Sequence, residues 1–557
     1  MGDDRHPGLA SGAPLLRLLA LAAGAIAGLA LPPLGLPPLL WPALAVLWGL
    51  AGDPPAGAMA GGRHGGLRGL GLLWGLAAVL VSHRWLLWLH PLDWVGVPAP
   101  LSLPLCLLVW GFCGLAAGLL VEAWLALVRR GDPLRPSTAL AGACLWGLVE
   151  VLLARGPLFW IGLGSSALPA DPALAGLAAY GGAGLVAAVQ VLLGWCLWRT
   201  LRAPAARRGW LLLTLLLLLV SHLSGWAALA GVVAELDQAG ARPGAFGPGT
   251  AAAAAPAGLP PTPAIPAPPA SQPSAVRLLV LQPAIPTRQK FEAGQQRRLL
   301  ALLAGAERDS ALVPQQQGSE SLLLPEGSLA AGQPLPEAAP LEVLSGGFRQ
   351  EGDQLRSSLL RFAPGSRDPV AWVDKHRLVP LGEWVPLAGL WRWSGLSAVG
   401  GLGPGAPSRL LPRPAGAIGV AICYEIADGA ALARASREGA QWLLASANLD
   451  PYPLLLQHQF QALAQLRAIE TGRWLVSAAN TGPSLVVDAA GRLQAQLPAG
   501  QAASGVVTLL PRSGLSPYVR WREGPLLLLL ALALAGRWAP RPGPAPLRSR
   551  RPPDKRH

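Results

Sequence analysis

Ala417-Ile418-Gly419-Val420-Ala421-Ile422-Cys423-Tyr424-Glu425 is an apolar, strand-like run that stops on a cysteine, with a carboxylate two residues further on. The other four cysteines, Cys106, Cys113, Cys144 and Cys196, all lie in long apolar runs nearer the N-terminus, which leaves Cys423 without a soluble disulfide partner. A lone thiol at the end of a buried strand is either an inert core residue or a nucleophile. Burial statistics favour the first, because free cysteine is among the most buried residue types. What favours the second is the company the thiol keeps.

Two further stretches put an ionisable residue just after an apolar strand: Leu322-Leu323-Leu324-Pro325-Glu326 and Ala371-Trp372-Val373-Asp374-Lys375. In an α/β sheet the carboxyl ends of the strands converge on one edge, and sites form there. An acid, an amine and a thiol on that edge suffice for acyl transfer. The thiol is largely protonated near neutrality; Glu326 is placed to take its proton, and Lys375 to lower the thiol pKa and hold the oxyanion that develops on an attacked carbonyl. Singly, Glu326 and Lys375 would be solvated loop charges in most proteins.

Around these stretches, short β-type runs alternate with helical ones. Ordered sequence resumes at Val276-Arg277-Leu278-Leu279-Val280-Leu281-Gln282, and Leu322–Leu324, Ala371–Val373, Ile418–Ile422, Trp442–Ser446, Trp474–Ala478 and Ser484–Val487 read as strands. Phe291–Ala304 and His458–Glu470 read as helices. Together they predict an α/β domain over residues 275–523, large enough for one substantial core.

The rest of the chain is of another kind. Hydrophobic residues make up 52% of the 557 positions and charged residues only 13%, against the roughly 25% charge of ordinary soluble domains. Seven apolar runs precede the α/β domain: Pro14–Leu31, Leu36–Leu50, Gly69–Ser82, Pro100–Val128, Thr138–Leu153, Ala173–Trp198 and Trp210–Val233. An eighth, Pro525–Trp538, follows it. Several are shorter than the ~20 residues that cross a bilayer perpendicularly, so their ends are drawn loosely. The first run has Arg17 near its start and lacks a small-residue cleavage site ahead of a polar mature sequence, as expected of a retained span rather than a cleaved leader. These runs assign residues 1–233 to a seven-span membrane domain and 524–540 to an eighth span.

The net charge of +14 does not point to nucleic acid, because its arginines cluster between apolar runs. Arg63 and Arg68, Arg129, Arg130 and Arg135, and Arg199, Arg202, Arg207 and Arg208 border the even-numbered connections, while the odd ones hold Arg84 against Asp93 and Arg155 against Asp171. Positive loops stay in the cytoplasm. Both termini are therefore expected there, the basic tail 541–557 included, and the α/β domain on the opposite face. Residues 234–274, with Ala251–Ala255 and Pro260-Pro261, are expected to be a flexible or polyproline-like tether.

The Glu326, Lys375 and Cys423 stretches resemble the Glu-Lys-Cys signature of the nitrilase (carbon-nitrogen hydrolase) superfamily. Lys375-His376-Arg377-Leu378-Val379-Pro380-Leu381-Gly382-Glu383-Trp384-Val385-Pro386 is similar to the lysine motif of the apolipoprotein N-acyltransferase family, as is Ala421-Ile422-Cys423-Tyr424-Glu425. Phe159-Trp160-Ile161-Gly162-Leu163-Gly164 resembles that family's aromatic and glycine-containing stretch after the fifth span, and eight spans with the catalytic domain before the last are its architecture. The resemblance implies a helical membrane bundle plus an extracytoplasmic nitrilase-like α-β-β-α sandwich in a bacterial inner membrane, the catalytic domain being periplasmic. It implies Glu326 as general base, Lys375 as oxyanion stabiliser and Cys423 as nucleophile, with Glu383 and Glu425 matching further acids and Tyr424 adjoining the thiol. It also implies a phospholipid acyl donor, a diacylglyceryl-apolipoprotein acceptor and a thioester intermediate, with no cofactor.

Structural readings of the same residues stand beside these. Glu383 and Glu425 could be ion-pair partners of neighbouring bases, and Tyr424 could simply pack. The chain departs from the family where an Asn-Asp-x-Trp-Phe stretch and a glycine-rich link are usual: it has Asn448-Leu449-Asp450-Pro451-Tyr452-Pro453 and a shortened link to His458 and Phe460. Glu150, inside the fifth run, needs a partner or water, and a link to Arg155 or a loop backbone is the expectation. His222 reads as a hydrogen-bonded helix contact. No Cys/His cluster has metal spacing, and the glycines near Gly400 follow no nucleotide-binding pattern. Two other functions use the same features: a membrane-anchored amidohydrolase with water as acceptor, and a transport bundle with Glu122 and Glu150 as its intramembrane charges.

Overall fold

The structure, a computed structural model, describes residues 12–52, 69–92, 97–238, 247–248, 275–289, 292–312, 321–380, 382–384, 401–450 and 452–536. A helix stands at each of the eight apolar runs: α1 (Gly12–Leu29), α2 (Pro37–Gly52), α3 (Leu70–Ser82), α4 (Ala99–Arg130), α5 (Pro136–Ala154), the pair α6 (Pro172–Ala175) and α7 (Ala178–Arg202), α8 (Arg207–Gln238) and, after the α/β domain, Gly524–Ala535. By length and apolarity α4, α5, α7 and α8 are able to cross a bilayer; the other four main helices are shorter apolar ones. Their shared core holds Trp48, Trp74, Leu125, Ala143, Val191 and Trp195, and buried indoles donate to carbonyls, as Trp48 does to Val191 O at 3.0 Å and Trp124 to Gly142 O at 2.8 Å. An indole N–H has no water to bond in hydrocarbon, so its partner comes from the protein.

Several of the charges weighed above have helix-end or backbone partners. Glu122 accepts from Gly71 N (2.8 Å) and Leu72 N (3.2 Å), capping the first turn of α3. Glu150 accepts from Leu163 N at 2.8 Å and Trp146 Nε1 at 2.9 Å, a loop-backbone link, while Arg155 pairs with Glu523 at 2.7 Å. His222 lies between Leu218 O (2.7 Å) and Asp171 Oδ2 (3.0 Å).

Among the described residues the α/β domain is built on thirteen strands. These are β1 (Gly247–Pro248), β2 (Val276–Gln282), β3 (Ser321–Leu329), β4 (Glu342–Glu351), β5 (Gln354–Phe362), β6 (Pro369–Asp374), β7 (Leu410–Leu411), β8 (Ile418–Ile422), β9 (Trp442–Ala447), β10 (Leu475–Ala479), β11 (Leu485–Val487), β12 (Leu493–Gln496) and β13 (Ala503–Leu509). One sheet runs β1-β13-β2-β3-β4-β5-β6 and the other β12-β11-β10-β9-β8-β7. Between them lies a core of Leu278, Val280, Leu323, Leu344, Leu359, Ile418, Val420, Ile422, Leu444 and Val476. Alternate residues Leu279, Leu281, Leu322 and Leu324 face outward against Leu299 and Leu303 of α9 (Ala293–Leu312). On the other sheet Ala421, Leu443 and Ala445 face α10 (Gly429–Arg437) and α11 (Leu454–Thr471), beneath which come Ala167, Leu174 and Ala178 of the membrane domain. The layers are thus α-β-β-α, and strands buried on both faces read as the unbroken apolar runs of the sequence. The short helix α12 (Pro517–Trp521) leads into α13 (Gly524–Ala535).

The boundary at 234 is less abrupt than composition suggests. Helix α8 continues because its last turns dock on the α/β domain: Leu236 is buried in the core between the sheets, and Glu235 pairs with Arg512 at 2.7 Å. Gly247–Pro248 pair with Val506 and Gly505 at the edge of the first sheet. The remainder of the tether and the basic tail lie outside the described residues.

Candidate active site

Cys423 sits where β8 turns into a 3-10 helix, Cys423–Ala427. Its φ is +54°, a left-handed backbone that costs a non-glycine residue about 1–3 kcal/mol and persists only where surroundings over-determine it. Glu425 does that here. Its Oε2 accepts from Ile422 N at 2.9 Å and its Oε1 from His376 N at 2.8 Å and Arg377 N at 3.1 Å, while Arg409 Nη1 lies 2.9 Å away. One buried carboxylate therefore holds the turn at the thiol and the loop behind Lys375 in a single frame.

Lys375 follows β6 immediately. Its N–H donates to Ser357 O at 2.7 Å, and its side chain, 1% exposed, places Nζ 2.8 Å from Glu326 Oε1 and 2.6 Å from Glu383 Oε1. Glu383 is anchored in turn by Val379 N on its Oε2 at 2.9 Å. Glu326 lies within β3 rather than after it, as the sequence suggested, at a register irregularity between Leu324 and Leu329. The neighbouring strand makes room: a β-carbon on Gly346 would stand 2.3 Å from Pro325 O and 2.4 Å from Glu326 Cα. The second oxygen of Glu326 accepts from Asn448 N at 3.0 Å.

The electrostatics follow from this packing. Burial alone would lower the Lys375 ammonium, but Glu326, Glu383 and the thiol hold it well above the usual lysine range. Burial pushes Cys423 far up, Glu326 and Glu383 push it further, and Lys375 and the Tyr424 N–H pull the other way. Lys375 thus favours the thiolate as expected, yet burial and the two acids outweigh it. The net direction is towards the protonated thiol. Burial also raises Glu383, helped by Glu326 and opposed by Lys375. Tyr424 donates its hydroxyl to Leu378 O at 2.9 Å, with Lys375 Nζ 5.7 Å and the Arg377 guanidinium 5.3 Å from its ring centroid. The spacing is that of a cation–π contact.

All six residues singled out in the sequence are therefore within one connected cluster. Three participants were not foreseen. Arg409, 3% exposed, is the charge partner of Glu425; lying 16 residues upstream, it carries no local signal. Asn448 contributes its backbone N–H, which its side-chain type does not announce. Tyr452, in the stretch that departs from the family pattern, is half-buried within electrostatic reach of Cys423, Lys375, Glu383 and Glu326, with desolvation the main influence that raises its phenol. Its ring meets Trp85 of the membrane domain edge-on at 5.6 Å, and Trp85 meets Phe159 at 5.8 Å. An aromatic wall thus runs from the bundle towards the thiol.

Comparison with known proteins agrees with the two-part architecture. Residues 23–196 match the apolipoprotein N-acyltransferase N-terminal domain, and residues 343–509 match the carbon-nitrogen hydrolase domain. The second match contains Lys375, Glu383, Cys423, Tyr424 and Glu425, with Glu326 just ahead of it. An apolipoprotein N-acyltransferase of Prochlorococcus marinus (strain MIT 9313) is 46% identical over 551 residues, 96% of this chain and 97% of that one. Another, of Parasynechococcus marenigrum (strain WH8102), is 44% identical over 527 residues, covering 93% and 98%. With the hydrolase-type thiol site seated against a helical membrane domain and near full-length relatives of one kind, the chain belongs to the apolipoprotein N-acyltransferase family.

Proposed function

We propose that this acyltransferase moves an acyl chain from a membrane phospholipid to the N-terminal α-amine of diacylglyceryl-cysteine in apolipoproteins, through a thioester on Cys423. The observation that carries the reading is a half-buried thiol close to an ammonium held between two carboxylates, with Tyr452 within electrostatic reach and itself packed on Trp85 of the membrane domain. Glu326 takes the thiol proton as sulfur attacks the ester carbonyl, because burial and the acids favour the protonated thiol at rest. Lys375 Nζ, already 2.8 Å from that base, faces the oxyanion. When the tetrahedral adduct collapses, the proton passes from Glu326 to the departing lysophospholipid oxygen, and the acyl group stays on sulfur. The amine then attacks the thioester, gives its proton to Glu326, and the sulfur recovers that proton as the amide leaves. General-base transfer contributes about 10² to 10⁴ in rate, and one oxyanion donor about 10² to 10³.

Lipid substrates account for the bundle. An apolar cavity of about 280 Å³ is lined by Trp74, Leu120, Trp124, Leu127 and Trp146 and reaches Trp160, next to the Phe159 of the aromatic wall. The eight-span, multi-pass reading in a bacterial inner membrane, with cytoplasmic termini and a periplasmic catalytic domain, is supported by which helix ends meet that domain. Gln459 donates to Ser82 O at the end of α3 (2.8 Å), and Arg377 to Ala154 O at the end of α5 (2.8 Å), whereas Trp195 and Arg199 contact the arginine-bordered loop at Pro133 and Leu134. Cysteines introduced at Pro204 and at the exposed Val370 should label from opposite faces. Product analysis with acyl-labelled phospholipid and a diacylglyceryl peptide tests the reaction: labelled amide supports it, and free fatty acid alone indicates a hydrolase.

A further inference from the structure

Two helix ends of the membrane domain are completed by charges from the catalytic domain. Helix α5 ends at Ala154, leaving carbonyls without intrahelical partners and the negative end of its dipole. Arg377 fills that role: Nη1 donates to Ala154 O at 2.8 Å, Nη2 donates to Gly156 O, and Asp428 Oδ2 stands 3.8 Å from Nη1. Helix α7 is broken at Gly181 (φ −146°, ψ 21°) and Gly182 (φ 70°, ψ −176°), so a new amino end starts at Ala183. Tyr518 packs where a side chain at Gly182 would lie, its Cε2 being 2.6 Å from an ideal β-carbon there. The freed Ala183 N–H donates to Glu470 Oε1 at 2.8 Å, and Arg467 Nη2 holds the same oxygen at 2.9 Å. Glu470 is 1% exposed.

The polarity of both contacts is matched: a guanidinium on a carboxyl end, a carboxyl group on an amino end. The thiol site has supports of its own besides these contacts. Lys375 is held by Ser357, Glu326 and Glu383, and the Arg377 backbone by Glu425. We propose that Arg377 and Glu470 are positioning residues that seat the catalytic domain on the ends of α5 and α7, so that the site meets lipid-borne substrate in one orientation. The proposal rests on the acyltransferase reading, and it concerns access from the bilayer rather than the chemistry at sulfur.

The test uses the full chain in vesicles of equal parts phosphatidylethanolamine and phosphatidylglycerol with a labelled acyl chain. Cys423 acylation from the vesicle lipid is compared with the burst of p-nitrophenolate from the small soluble ester p-nitrophenyl butyrate. Glu470→Ala is expected to slow the lipid reaction by about tenfold or more while changing the soluble burst less than about threefold, the scale of losing a charge at a helix end; Arg377→Met, which also takes a cation from the Tyr424 ring, is expected to slow the lipid reaction by more than it slows the soluble burst. Glu470→Gln, which keeps an acceptor for Ala183, should recover most of the loss, and Arg377→Lys only part, because a lysine cannot reproduce the two-carbonyl fork. Equal loss with both substrates, or no loss with lipid, overturns the assignment; a variant that fails to fold registers as equal loss and is counted against it. Absence of lipid-derived acyl-Cys423 in the unsubstituted protein would instead remove the acyltransferase reading itself.

Discussion

Replacing Lys375 by Met probes the centre of the site. The ammonium is 2.8 Å and 2.6 Å from two carboxylates and 1% exposed, so its removal leaves Glu326 and Glu383 facing each other across a methionine. Breaking a buried ion pair by truncating one partner costs roughly 3–5 kcal/mol, a large share of the about 5–15 kcal/mol that holds a domain together. Thermal unfolding must therefore accompany the kinetics. Loss of one oxyanion donor costs about 10² to 10³ in rate. A second effect is specific to this geometry: burial and both acids raise Cys423, and Lys375 is the opposing charge, so the thiol moves up again and the rate profile shifts to higher pH. The assay is single-turnover acylation of Cys423 from labelled phospholipid without acceptor, across the neutral to alkaline range. Alkaline pH should partly rescue Lys375→Met and do less for Glu326→Gln, which also lacks the acid that protonates the leaving oxygen. Equal rescue in the two variants, or a Lys375→Met rate within about tenfold of the unsubstituted protein near neutrality, would refute these roles.

Gly346→Ala should displace Pro325 and Glu326, since its β-carbon would lie 2.3 Å and 2.4 Å from their backbone; a stability loss of about 1–3 kcal/mol and a fall in thioester formation are expected by calorimetry and single-turnover kinetics. Glu425→Gln leaves Arg409 buried without its counter-charge and loosens the turn at Cys423, so a loss of about 3 kcal/mol or more should accompany slower acylation; an unchanged melting temperature would contradict the bracing role. Burial pushes Glu470 from the ordinary 4.5 up to about 7, with Arg467 opposing. The folded state therefore binds that proton more tightly, and the stability it confers is complete below about pH 4.5 and lost as pH rises through about 7, a change of about 3 kcal/mol. Glu470→Gln should flatten that part of the unfolding free energy against pH.

The strands were legible because they are buried on both faces: Val276–Gln282 and Ile418–Ile422 carry no polar alternation to obscure them. The β4–β5 hairpin escaped notice for the opposite reason. Arg349, Gln350, Arg356 and Arg361 make those strands look like loop, although Arg349 braces Asp374 at 2.6 Å and Arg361 braces Glu342 at 2.6 Å. Glu326, Lys375 and Cys423 lie 49 and 48 residues apart, and nothing local joins them; strand ends on one edge and the family signature did. The break in α7 was hidden inside an apolar run, since Gly181-Gly182 is common in membrane helices and its consequence, a docking end for Glu470, exists only in three dimensions. Tyr452 was within view as part of an altered stretch, but its contact with Trp85, more than 360 residues earlier in the chain, exists only in the fold.

The most direct test of a thioester mechanism is the intact and peptide-level mass of the protein after incubation with phospholipid vesicles and no acceptor. A hydroxylamine-labile acyl group on Cys423, absent from Cys423→Ala and discharged as an amide when a diacylglyceryl peptide is added, is the predicted result. An unmodified Cys423 in a preparation that still acylates the peptide, or a Cys423→Ala variant that acylates it at a comparable rate, would contradict it.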